Sequence, residues 1–112
     1  MKKFLMGFAH AGRGIAAGLR GETNLKVMLV LAAAAVSVGL YRGLDPLEWV
    51  AVSLCAGLVI SLELANTAVE RLVDIHSPGH DPRYGRVKDI MAGAVLVAAL
   101  ASDVVGALVF LK

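Results

Sequence analysis

The sequence predicts an all-α membrane protein: an N-terminal amphipathic surface helix followed by three transmembrane helices, in one domain spanning residues 1–112. Three observations predict it. The chain is 58% hydrophobic with a mean hydropathy of +0.74, too apolar for an ordinary soluble domain of 112 residues. Its apolar residues gather into three stretches, each close to the roughly 20 residues that a bilayer requires. Charged residues fall mainly at the ends of those stretches.

The first element covers about residues 3–20 (KFLMGFAHAGRGIAAGLR). Phe4, Leu5, Phe8, Ile15 and Leu19 can cluster on one side, and Lys2, Lys3, Arg13 and Arg20 are basic. That combination suits a helix lying in the headgroup plane. Gly7, Gly12, Gly14 and Gly18 lower its helix propensity and equally admit close approach of another helix or a ligand. His10, Arg13 and Arg20 interrupt the stretch, so Met1-Lys2-Lys3 does not open a signal peptide.

The spans follow at about 25–41, 47–64 and 90–111. Arg42-Gly43-Leu44-Asp45-Pro46 is a turn, with Pro46 able to open the second spanning helix, which runs on to about Asp74. His76-Ser77-Pro78-Gly79-His80-Asp81-Pro82 is a breaker-rich polar loop. Small residues in the third span (Ala92, Gly93, Ala94, Ala98, Ala99, Gly106) suit close helix packing. Tyr41 and Trp49 fit as interfacial anchors, and Cys55 as an inert packing residue. Asp103, within the third span, fits best near the outer headgroups. Lys2, Lys3, Arg13, Arg20 and Lys26 precede the first span, and Arg71, Arg83, Arg86 and Lys88 lie between the second and third, against Arg42 alone in the other loop. The positive-inside rule then puts the N-terminus and the second loop in the cytoplasm. Three such stretches cannot wrap around themselves, which predicts an oligomer.

The chemistry collects at one end of the second span. Val50 to Leu62 carries no charge, and Glu63, Asn66, Thr67, Glu70 and Asp74 follow. On a helix, Glu63, Glu70 and Asp74 lie within about 20° of a common line, over roughly 16 Å of axis. Ionisable groups in a membrane segment are costly and mark function. Glu22, Lys88 and Asp89 join them at the cytoplasmic edge. Mg²⁺ takes oxygen ligands from one or two carboxylates plus substrate phosphates, and Glu22 and Glu70 are candidates for that pair. Glu63, deeper and drier, is a candidate general base for a hydroxyl at the lipid surface.

Several classes are excluded. The net charge of +2 is too small to suggest nucleic acid. There is no phosphate-loop motif, no soluble-kinase motif set and no dinucleotide fingerprint. His10, His76 and His80 lack zinc-ligand spacing. Two other readings compete: a small oligomeric proton or cation transporter with the stripe as its path, and a non-catalytic assembly protein with the stripe as interhelical glue. The polar face stops at Glu63 and does not continue toward the outside, which speaks against a conducting path.

Glu63-Leu-Ala-Asn66-Thr67-Ala68-Val-Glu70-x-x-x-Asp74, followed by Lys88-Asp89-Ile-Met-Ala92-Gly93-Ala94-Val95-Leu96, resembles the bacterial diacylglycerol kinase/undecaprenol kinase family. The likeness extends over nearly the whole chain and includes Glu22 within Gly21-Glu22-Thr23-Asn24. It implies a homotrimeric kinase of the bacterial inner membrane with active sites shared between subunits, transferring the γ-phosphate of ATP, with Mg²⁺, to diacylglycerol or undecaprenol. By position, the resemblance gives Glu63 as catalytic base and Glu22 and Glu70 as metal carboxylates. Nucleotide contacts would come from His10, Glu22, Glu70, Gly79, His80, Asp81, Lys88 and Asp89. Lipid contacts would come from Gly12, Asn24, Lys26, Trp49, Glu63, Asn66 and Ala92. His10 stands where the family usually has a tyrosine, and the loop wording leans toward the Gram-positive members, which phosphorylate undecaprenol.

Overall fold

A computed structural model of the chain describes residues 1–21, 23–79 and 81–112, with the backbone alone at residue 23. Four helices account for almost all of it: α1 (Lys2–Leu19), α2 (Thr23–Arg42), α3 (Pro46–His76) and α4 (Pro82–Phe110). The last three are each long and apolar enough to cross a membrane. The expected all-α architecture, a surface helix followed by three spans, is what forms.

Local sequence explains each boundary. Gly43 adopts φ +71°, a left-handed value that ends α2, and its N–H bonds Gly39 O at 2.9 Å. Asp45 then starts α3 through a capping box: its Oδ1 accepts from Glu48 N at 2.8 Å, and Glu48 Oε1 accepts from Asp45 N at 3.2 Å. Pro46 occupies the first turn, where its missing N–H costs nothing. At the other end, Ser77 N still bonds Val73 O at 2.7 Å, but Pro78 holds the residue before it out of the helical region. Asp81 and Pro82 open α4 with the same residue pair but without a capping box: Asp81 Oδ1 accepts from Arg83 N.

α4 therefore starts well before the span placed at 90–111. A hydropathy reading sees only the apolar part of a helix, and Arg83 to Asp89 extend it into the polar zone. α3 likewise continues past its apolar part, to His76.

α3 and α4 form the most extensive pair, α2 packs on α3, and α1 makes smaller contacts with α2 and α3. One row of covered residues on α3 runs Val52, Ala56, Val59, Glu63, Asn66, Glu70 and Val73; one on α4 runs Tyr84, Lys88, Met91, Val95, Ala98, Ser102, Val105 and Val109. Both rows alternate steps of three and four, the 3.5-residue period of left-handed helix pairs. At the end of the bundle away from the polar stripe, Arg42 donates to the Phe110 carbonyl, and Lys112 Nζ lies 2.5 Å from Glu48 Oε2. Trp49 packs inward, against Gly39: a Cβ there would come within 2.9 Å of both its ring and Leu44 Cδ1.

The chain exposes 7995 Å². A folded soluble monomer of this mass exposes about 5,900 Å². The excess is largely aliphatic, including Val30, Leu31, Leu54, Leu96, Val97 and Leu108 on the spans. Such a surface belongs in lipid or against other copies of the chain.

Candidate active site

The stripe is covered from Glu63 to Glu70 and becomes exposed at Asp74. Glu63 and Thr67 are each only 4% exposed; Glu63 continues the row of Val52, Val59 and Val73, and Thr67 is turned toward α1. Thr67 Oγ1 donates to the Glu63 carbonyl at 3.0 Å, so its hydroxyl is satisfied within the helix. One turn on, Asn66 Nδ2 donates to Glu70 Oε1 at 3.5 Å, while Asn66 Oδ1 is buried with no hydrogen-bond partner among the described residues. The Asn66 amide therefore presents an unused acceptor close to the Glu70 carboxylate.

α4 adds a cation. Lys88 Nζ lies 2.7 Å from Asp74 Oδ1 across the α3–α4 pair, with both side chains partly exposed. This pair fixes the register of the polar end: α3 runs toward it and α4 away from it. α1 arrives at the same end. Gly18 is buried against Leu64, and Arg71 Nη1 and Nη2 donate to the carbonyls of Ala17 at 2.8 Å and Arg20 at 3.0 Å. Between α1 and α3 lies a groove of about 410 Å³ whose walls include Gly14, Ile15, Leu64 and Thr67.

The expected site residues are distributed as follows. Glu63, Asn66, Glu70, Asp74 and Lys88 share one end of the bundle. Asp89 follows Lys88 and is exposed, as are Gly79 in the loop and Ala92 a turn further along α4. Asp81 accepts from Arg83 N at 2.9 Å and pairs with the Arg83 guanidinium, Oδ2 to Nη2, at 2.9 Å. That hydrogen-bonded guanidinium holds the Asp81 carboxyl below its ordinary value of 3.8. On α1, Gly12 and His10 are exposed, and Arg13 donates to His10 Nδ1 at 2.6 Å. Asn24 and Lys26 are exposed on the first turn of α2. Glu22 and His80 lie outside the described residues. Trp49, in the first turn of α3, lies fourteen residues before Glu63, which is about 21 Å along the helix axis. It is not brought to the carboxylates.

Among the described residues, no three His, Cys, Asp or Glu side chains converge to cage a metal ion. The donors present, the Glu70 carboxylate and the unpartnered Asn66 Oδ1, are hard oxygens. They fit an ion such as Mg²⁺, which is held by few protein ligands and completes its shell with water and phosphate. In sequence, Arg71 reads as one more basic loop charge; in the structure it bonds backbone groups more than fifty positions away.

The chain's relatives agree with this architecture. The family model for prokaryotic diacylglycerol kinase matches residues 9–110. An undecaprenol kinase of Bacillus subtilis is 40% identical over 111 residues, which is 99% of this chain and 90% of the relative. A diacylglycerol kinase of Synechocystis sp. is 30% identical over 103 residues, covering 91% of this chain and 59% of the longer relative. Near full-length identity at that level, with three membrane-capable helices, makes the protein a membrane lipid kinase, a phosphotransferase with an alcohol acceptor. The chain belongs to the prokaryotic diacylglycerol kinase family.

Proposed function

We propose that this protein phosphorylates undecaprenol at the cytoplasmic face of the bacterial inner membrane, with ATP as donor and Mg²⁺ as cofactor. The observation that carries the reading is the burial of Glu63 directly after an uncharged run, one turn from Asn66 and two turns from Glu70. A carboxylate at that depth meets a lipid hydroxyl, while Glu70, Asp74 and Lys88 lie toward the water, where a nucleotide arrives.

The acceptor lies in the bilayer with its hydroxyl at Glu63. The hydroxyl oxygen attacks the γ-phosphorus of ATP, the new O–P bond forms as the bond to the β-phosphate oxygen breaks, and the hydroxyl proton passes to the Glu63 carboxylate. ADP leaves with the bridging oxygen. Lys88 contributes positive charge to the phosphates, held in place by Asp74. Gly79, His80, Asp81 and Asp89 border the nucleotide, and His10 approaches it from α1. Mg²⁺ would be held by Glu70 and Glu22, and when bound it offsets charge on the phosphate oxygens. Asn66 orients Glu70 and supplies a further oxygen beside it. Gly12, Asn24, Lys26, Trp49 and Ala92 border the lipid; Trp49, about 21 Å from Glu63, can touch only the tail of a long acceptor. A homotrimer, with sites completed across subunits, gives the exposed aliphatic faces a partner.

Undecaprenol is placed first because the relative that matches nearly end to end is an undecaprenol kinase. Diacylglycerol is the second reading, favoured by the Synechocystis relative. Purified protein in mixed micelles, supplied with γ-labelled ATP and either lipid, decides between them. Higher kcat/KM on undecaprenol is expected; higher kcat/KM on diacylglycerol reverses the order, and no label on either refutes the proposal.

A further inference from the structure

α1 is secured to the bundle at one place. Its residues through Ala16 are exposed, and attachment begins at Gly18, where a Cβ would come within 2.7 Å of Leu64 Cδ2. Beside this contact, both terminal nitrogens of Arg71 are spent on α1 carbonyls: Nη1 on Ala17 O at 2.8 Å and Nη2 on Arg20 O at 3.0 Å. The last carbonyls of a helix lack intrahelical partners and carry partial negative charge. α1 has no basic residue in its own last turn. The C-cap Arg20 N–H already bonds Ala17 O at 3.3 Å; Arg71 adds from α3 a charged donor to that carbonyl and a second to the carbonyl of Arg20, and a planar guanidinium fork can grip two carbonyls at once where a lysine grips one.

The location gives the clamp a consequence. Arg71 directly follows Glu70, and Arg20 directly precedes Gly21, whose φ of +78° turns the chain from α1 toward α2. Glu22 is the next residue in sequence. We propose that Arg71 is a positioning residue for the metal carboxylates: by holding the carbonyls of Ala17 and Arg20, it fixes the point at which the chain leaves α1, two residues before Glu22 in sequence, against the turn of α3 that carries Glu70. This rests on the reading of Glu22 and Glu70 as the metal pair. A carboxylate delivered by a loosened junction still reaches Mg²⁺, but with an entropic penalty at each binding event. Loss of the fork therefore weakens the metal requirement step more than the chemical step.

The test uses the full-length protein in mixed micelles with ATP and undecaprenol, and compares Arg71→Met, Arg71→Lys and Glu22→Gln. Rates are titrated against Mg²⁺, and tryptic cleavage of the Arg20–Gly21 bond is followed by mass in the same samples. Losing one net charge-assisted hydrogen bond corresponds to roughly a tenfold change. Arg71→Met is expected to raise the half-saturating Mg²⁺ about tenfold while kcat at saturating Mg²⁺ stays within about threefold. Arg71→Lys falls between it and the native protein. Arg20–Gly21 is cut faster in both variants, because the junction opens locally more often. A native Mg²⁺ titration in Arg71→Met overturns the proposal, and so does a fall in kcat with no shift in Mg²⁺ response, which marks a merely structural role. If Arg71→Met does not assemble, Arg71→Lys is judged by the same two criteria. Glu22→Gln separates the two readings. An unshifted Mg²⁺ response in that variant defeats the metal role of Glu22, while cleavage at Arg20–Gly21 still reports whether Arg71 holds the junction.

Discussion

Replacing Glu63 by glutamine removes the proposed base while keeping the side chain's volume. The side chain is 4% exposed and sits in the α3–α4 seam, so any substitute must match its volume. Glutamine does, and a neutral amide costs less to bury than a carboxylate. The Thr67 hydroxyl bonds the backbone carbonyl of residue 63, which the substitution does not touch. Thermal stability and oligomer size are therefore expected to match the native protein. Catalysis is not: loss of a general base lowers the rate by about 10²–10⁴, equivalent to about 3–5 kcal/mol of barrier. Because the base acts in the transition state, KM for ATP and for lipid moves little while kcat falls. Glu63→Asp retains the charge but draws the carboxylate back by one methylene, about 1.5 Å. A misplacement of that size costs on the order of 10²-fold. Labelled-ATP transfer to lipid, read beside thermal unfolding of the same samples, checks both variants. A Glu63→Gln protein that turns over at a near-native rate would refute the assignment.

Other substitutions separate metal, nucleotide and fold. Glu70→Gln should shift the Mg²⁺ titration upward by tenfold or more, on the order of one lost charge-assisted contact, and an unchanged titration contradicts the metal role. Lys88→Met should raise KM for ATP and reduce the dependence of that KM on salt, measured between low and high ionic strength; an unaltered KM argues against nucleotide contact. Asp45→Ala removes the α3 capping box far from the chemistry and should lower stability by about 1 kcal/mol without changing kcat. For Asp81, the sign follows from its lowered carboxyl: its cap on α4 contributes fully above the ordinary value of 3.8 and is lost as pH falls below it. Asp81→Ala and native protein should thus differ in melting temperature at neutral pH and converge in acid.

Much of this molecule can be read from its residues, and the parts that cannot share a physical cause. The three spans, the surface helix and the turn at Gly43-Leu44-Asp45-Pro46 follow from hydropathy and from local breaker chemistry, both of which are encoded within a few neighbours. The stripe of Glu63, Asn66 and Glu70 follows from helical spacing alone, and it does occupy a covered face. The early start of α4 is not visible to hydropathy, because Arg83, Arg86 and Lys88 are polar; only the Asp81-Pro82 cap announces it. Trp49 reads as an interfacial ring in sequence, yet it also fills the space beside Gly39, a contact between two helices. The Arg71 clamp is beyond reach for the same reason: its partners are Ala17 and Arg20, and the carbonyls it binds are backbone groups that every residue possesses. Nothing in the identity of Ala17 points to Arg71. His10 bonds Arg13 one turn away on α1, an exposed pairing that spacing alone permits but does not require.

The account turns on a hydroxyl in the membrane meeting a nucleotide from the cytoplasm at Glu63. Membrane vesicles of defined sidedness address this directly. Inside-out vesicles carrying the protein should transfer label from externally added ATP to undecaprenol, and right-side-out vesicles should do so only after permeabilisation. Transfer in sealed right-side-out vesicles, with none in inside-out ones, would place the carboxylates on the wrong side of the membrane and contradict the account.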